Sequence, residues 1–164
     1  GNTDWPHNNI RYWRHRVPYT PGQPSGVDGR WRWMMFDVDF GMQNHRRDTL
    51  RGASSPRGMR NWNDTEWSTL VFRRLLTHPA FRARFEQRFE ELLNTRFATD
   101  NVLAHIDRAR DRIVTEIPRH VQRWKTPASV ETWETQIGQI RDFAQKRPEV
   151  QRAQVRAFLA EQGR

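Results

Sequence analysis

Asp4-Trp5-Pro6-His7-Asn8-Asn9 opens the stretch that decides this chain, and Asp37-Val38-Asp39-Phe40-Gly41 closes it. Ile10 to Val17 (Ile-Arg-Tyr-Trp-Arg-His-Arg-Val) alternates roughly as a half-buried strand, and Arg30 to Phe36 starts the same way before ending in an apolar run. The prolines and glycines of Pro18 to Gly29 exclude regular structure between them. The pattern predicts a β-hairpin with a long loop. Such a hairpin swings Asp37 and Asp39 back beside Asp4 and Asn9, lining one magnesium-sized hole with hard oxygen donors.

An acid, an amide five residues on, and an acid-Phe-Gly at the end of a strand form the order in which protein kinases hold a catalytic base and two magnesium ligands. Asp4 and Asn9 meet the loop spacing that puts a proton acceptor and a metal-binding amide on opposite sides of one short turn. Each piece alone is an ordinary capping or turn signal, with the glycine supplying positive φ. Their order, joined by a hairpin, carries the phosphoryl-transfer reading.

From Asp64 onward the sequence reads as successive helices. Asp64 or Thr65 caps one running to about Leu76, and Pro79 opens a second in which Phe81, Phe85, Phe89, Leu92 and Leu93 form one core stripe. Thr99 or Asp100 starts a third, broken at Pro118 into a short segment ending near Trp124. Ser129 caps a fourth, with Val130, Trp133, Ile137, Ile140 and Phe143 on its apolar face, and Pro148 is expected to open the last. The fold class is therefore α+β: a hairpin bearing acidic loops, packed on a mainly helical body. One domain spans residues 1–164, divided into the loops and hairpin (1–41), a Gly, Ser and Asn-rich segment (42–63) and the helical body (64–164).

With 164 residues and 35% hydrophobic content the chain is long enough for a real core. It has no cysteine, which excludes disulfides, thiolate zinc sites and a cysteine nucleophile. No run approaches the length of a membrane span. His78, His105 and His120 lack the paired spacing of a zinc site, so oxygen-bound magnesium is the better metal. The net charge of +9 is carried mostly by arginines dispersed among acids along the helices, the pattern of a solvated face with pairs one turn apart. Arg46, Arg47 and Arg51, with Arg57 and Arg60, fall instead in the 42–63 segment, where kinases place the activation and substrate loop, and are candidates for gripping acidic substrate or phosphate.

The residues then resemble a known family. Asn2-Thr3-Asp4-Trp5-Pro6-x-Asn8-Asn9-Ile10-x-x-Trp13-Arg14 and Trp31-Arg32-Trp33-x-x-Phe36-Asp37-x-Asp39-Phe40-Gly41 look like the core of the CotH spore-coat kinases. The likeness continues through Leu70-x-Phe72-Arg73-x-Leu75-Leu76-x-x-Pro79, Ile117-Pro118-Arg119-His120-x-x-Arg123-Trp124 and Ile140-Arg141-x-Phe143-Ala144-x-x-Arg147-Pro148. It implies an atypical protein kinase that transfers phosphate from ATP, with Mg2+ or Mn2+, to Ser or Thr of coat-type or secreted proteins, in a bacterial, spore-coat or secreted setting. By the same resemblance Asp4 matches the catalytic acid, Asn9 or its neighbour Asn8 the metal- and cofactor-binding amide, and Asp37 and Asp39 the metal-binding acid, with either of the two open as the ligand.

The Gly-rich loop, the lysine and the glutamate that precede the catalytic loop in kinases have no counterpart before Asp4, since Lys125 and Lys146 both lie late in the helical region. The expectation is thus a fragment equivalent to a kinase C-terminal lobe, inactive alone, with a missing N-terminal lobe as its partner. The alternative is a non-catalytic, pseudokinase-like scaffold or an Arg-rich module binding nucleic acid or another anion, although dispersed charge makes nucleic acid the weaker partner.

Overall fold

Among the described residues, two short antiparallel strands, β1 (Arg11–Trp13) and β2 (Arg32–Met34), precede six helices: α1 (Leu50–Ala53), α2 (Glu66–Leu76), α3 (Pro79–Asn94), α4 (Thr99–Ile113), α5 (Ile117–Trp124) and α6 (Val130–Gln162). A 3-10 turn, Val114–Glu116, joins α4 to α5. The structure, a computed structural model, describes residues 2, 5, 6, 8–34, 36–56 and 66–162. It is a mainly helical body with a small hairpin, in keeping with the α+β expectation, and no helix among the described residues is long and apolar enough to cross a membrane.

The hairpin pairs Arg11 with Met34, Tyr12 with Trp33 and Trp13 with Arg32. Each strand is three residues long, shorter than the alternation predicted, because neither face has an apolar layer to cover it and Tyr12, Trp31 and Trp33 stay exposed. Cross-strand aromatic contact is present nonetheless: Tyr12 meets Trp31 and Trp33 edge-on at 5.3 and 5.5 Å. Four arginines lie over the rings, Arg11 on Phe36, Arg14 on Trp31, Arg30 on Tyr19 and Arg32 on Trp13.

The long loop is closed by buried Asp28. Its carboxylate accepts from the Arg30 N–H at 3.1 Å and from the Arg32 guanidinium at 2.8 Å, while its carbonyl accepts from the Thr20 N–H. Gly29 follows with φ of +77°, where an added Cβ would lie 2.6 Å from the Val17 carbonyl oxygen; only glycine fits. Burial disfavours the Asp28 charge, but the bonds from Arg32 and Arg30 and the two guanidinium charges outweigh it and hold the carboxyl below its usual value. A folded pKa below the unfolded one gives stability that is complete above the ordinary carboxylate value of about 3.9 and is lost as pH falls through the lowered one. The near-ultraviolet circular dichroism of the Tyr12, Trp31 and Trp33 cluster is therefore expected to hold steady down to about pH 4 and change only below it, and Asp28→Asn should show the altered signal at neutral pH.

The core belongs to the helices. Leu76, Leu93, Ile117, Trp133, Phe143, Val155 and Phe158 are buried. Phe81, Phe85 and Phe89 run along α3 as the spacing predicts, each ring against the next; Phe81 and Phe85 meet Phe72 of α2, which stacks on Phe158 of α6 at 6.3 Å. Pro79 sits in the first turn of α3, and the Thr132 N–H bonds the Ser129 hydroxyl at 3.1 Å, capping α6.

Two expectations are corrected. Pro148 does not open a helix; it lies inside α6, a single rod of 33 residues. A proline suits a first turn and costs about 3 kcal/mol inside a helix, yet buried residues flank it on both sides, Phe143, Ala144 and Arg147 before it and Val155 and Phe158 after it. Packing along the whole rod offsets the lost backbone bond. The helical arginines, in turn, join helices as well as pairing one turn away: Arg110 reaches Glu134 and Arg141 reaches Asp107 between α4 and α6, and Arg152 reaches Glu90 between α3 and α6.

Candidate active site

Antiparallel pairing puts the start of β1 beside the end of β2, so Asn8 and Asn9, just before β1, and Asp37, just after β2, lie at the same end of the hairpin. A bond across 35 residues ties the opening segment to that end: the Asn2 side-chain amide donates to the Asp37 carbonyl at 3.3 Å. Asn9 and Asp37 both adopt left-handed backbone, with φ of 52° and 49°. Asn and Asp tolerate that region better than other L-residues, and such conformations gather where a site over-determines the chain path. Trp5 precedes Pro6 through a cis peptide bond, with Pro6 buried and Trp5 43% exposed.

Beyond Asp37 the backbone turns sharply. The Gly41 N–H bonds the Val38 carbonyl at 2.9 Å, closing a turn with Asp39 and Phe40 at its centre. A Cβ on Gly41 would sit 2.9 Å from that same oxygen. The turn leaves Asp37 and Asp39 exposed on the surface.

The structure thus brings Asn8, Asn9 and Asp37 to one end of the hairpin, with Asp39 in the turn that follows. Asp4, the expected proton acceptor, lies outside the described residues. Among the described residues no three His, Asp or Glu side chains form a metal-binding group; the donors at this end are two carboxylates and two amide oxygens, a hard-oxygen set of the kind magnesium takes.

Arg46, Arg47 and Arg51 are all exposed, and Arg51 also pairs with Glu161 at 2.5 Å and with Asp48 at 3.5 Å. Their segment carries α1, a helix the Gly and Ser content had hidden. Arg57 and Arg60 lie outside the described residues.

Sequence reasoning also passed over Arg147. Continuing the α6 apolar stripe from Phe143 by one turn reaches this arginine, which is only 8% exposed. An arginine at a core position was the signal.

A family model described as CotH kinase protein matches residues 1–150. No curated protein and no solved structure matches the chain.

Proposed function

The chain belongs to the CotH kinase family, and from that premise we propose that it moves the γ-phosphoryl group of ATP to a serine or threonine hydroxyl of a protein. The observation that carries this reading is the meeting of the opening segment with Asp37 at one end of the hairpin, through the Asn2 bond and the strand register. In this reading Asp4 orients the acceptor hydroxyl and takes its proton as the new oxygen–phosphorus bond forms and the bond to the ADP oxygen breaks. Asn9, or Asn8, with Asp39 and Asp37 would hold Mg2+ or Mn2+. When bound, the metal neutralises charge on the transferring phosphoryl group. Donor chemistry fits that cation: amide and carboxylate oxygens, with the left-handed backbone of Asn9 and Asp37 setting their direction. The kinase C-terminal lobe is the corresponding architecture, a hairpin carrying the acids beside a helical body.

Isothermal titration of ATP into the chain, with Mg2+ and then with excess EDTA, tests this. Binding that requires the metal and disappears in Asp39→Ala supports the reading. The exposed arginines and tryptophans of the hairpin favour a second reading, an anion-binding surface. Single-stranded RNA binding that weakens steeply with salt and ignores Asp39→Ala would establish it in place of the first.

A further inference from the structure

Three successive backbone carbonyls just after the acid-Phe-Gly turn are captured by α6. Arg147 Nη1 donates to the His45 carbonyl at 2.5 Å and to the Arg47 carbonyl at 2.9 Å, and Gln154 Nε2 donates to the Arg46 carbonyl between them at 2.8 Å. Arg51 then reaches Glu161 of the same helix at 2.5 Å. Positions 147, 154 and 161 are seven apart, two turns of helix each time, so they form one polar stripe along α6.

The carbonyls point the same way for a local reason. Asn44 builds a turn: its side-chain oxygen accepts from the Arg46 N–H at 2.9 Å and its carbonyl from the Arg47 N–H at 3.2 Å. A tight turn of this kind leaves carbonyls that its own backbone does not bond, and a guanidinium with a fixed fork of donors suits them. Gln151, one turn on from Arg147, accepts from its second nitrogen and fixes the fork. The charge is buried against neutral oxygens, and no carboxylate forms an ion pair with Arg147 among the described residues. Burial pushes its pKa down, with Asp48 partly opposing. A buried cation so held is costly unless the geometry is kept. At the far end of the segment, Thr69 of α2, fully buried, donates to the Ser55 carbonyl at 2.8 Å.

We propose that Arg147 and Gln154 are positioning residues: they fix the path of His45–Arg47 relative to Asp37 and Asp39, and so present the Arg46 and Arg47 side chains outward as a set surface beside the phosphoryl-transfer site. The part of this that concerns the site rests on the phosphotransferase reading; the clamp itself does not.

The test uses the full chain, with Arg147→Lys, which keeps the charge and loses the fork, and Gln154→Met. The Gln154 side-chain oxygen is buried with no partner among the described residues, so the methionine removes that acceptor together with one bond, and the melting temperature is expected to stay within a few degrees of the parent. Two readouts are compared: hydrogen exchange at residues 45–50, and broadening of amide NMR signals by Mn2+. In both variants exchange is expected to rise about tenfold or more at 45–50 and to stay unchanged in α3 and α4. The Mn2+ broadening is expected to change at residues 45–48 and to persist at 38–41. Unchanged exchange overturns the clamp. Raised exchange with an unaltered broadening pattern at 45–48 overturns the positioning role. Absence of broadening near Asp37 and Asp39 in the parent chain defeats the phosphotransferase reading and the positioning role, while exchange alone still decides the clamp.

Discussion

Replacing Asp39 with alanine is expected to abolish metal-dependent nucleotide binding, weakening it by about a hundredfold or more, the loss usual when a charged group that holds the metal is removed. Asp39 is exposed, in the turn closed by Val38 and Gly41. Its removal takes no support from the core, so thermal stability should move by no more than about 0.5 kcal/mol. That separation makes the result readable: lost binding with an unchanged melting curve assigns the carboxylate to the ligand. Asp37 needs a different variant, because its φ of 49° lies in a region alanine avoids. Asp37→Asn keeps a residue that tolerates it and removes only the charge. If Asp39→Ala binds nucleotide as the parent does while Asp37→Asn does not, the metal-binding role passes to Asp37. If both bind normally, the phosphotransferase reading fails. Titration calorimetry, run side by side on both variants and the parent, gives these outcomes.

Phe158→Ala is expected to cost about 3–5 kcal/mol of stability. Phe158 is only 1% exposed and stacks on Phe72 at an interplanar angle of 13°. Through Phe72 it joins the α3 row, where Phe85 lies 5.4 Å away. Truncation would leave a ring-sized void at the point where α2 and α3 lean on α6, too far inside to refill by local collapse. Small domains hold only about 5–15 kcal/mol in total, so much of the margin would go. Urea titration followed by circular dichroism measures it; a loss under about 1 kcal/mol would mean that the aromatic row is not the central support of the body.

What could be read from the sequence divides along physical lines. The helix starts at Pro79 and Thr99 and the cap at Ser129 were legible, because apolar spacing and a local start signal agree there. Pro148 misled because a proline carries the same local signal whether it begins a helix or interrupts one; only packing on both sides, absent from local pattern, distinguishes them. The partners of Arg110 and Arg141 were illegible for a related reason, since spacing along one helix reports neighbours on that helix and Glu134 and Asp107 lie on others. At the candidate site, order and turn chemistry are what single out Asp37 and Asp39 as candidates, and the return of the chain toward its opening segment followed from the hairpin. Asn2 as the tie, and Arg147 as the residue gripping the segment after Gly41, depend on contacts 35 and about a hundred residues apart, beyond the reach of spacing.

Of the tryptophans among the described residues, Trp133 is sheltered, while Trp5, Trp13, Trp31, Trp33, Trp67 and Trp124 are 42–61% open to water. The native chain therefore already emits mostly as a hydrated indole, and denaturation shifts its spectrum little to the red. A macromolecule laid across the hairpin would dry several of these rings together and drive the emission toward the blue, giving the protein an optical reporter of occupancy that needs no attached dye.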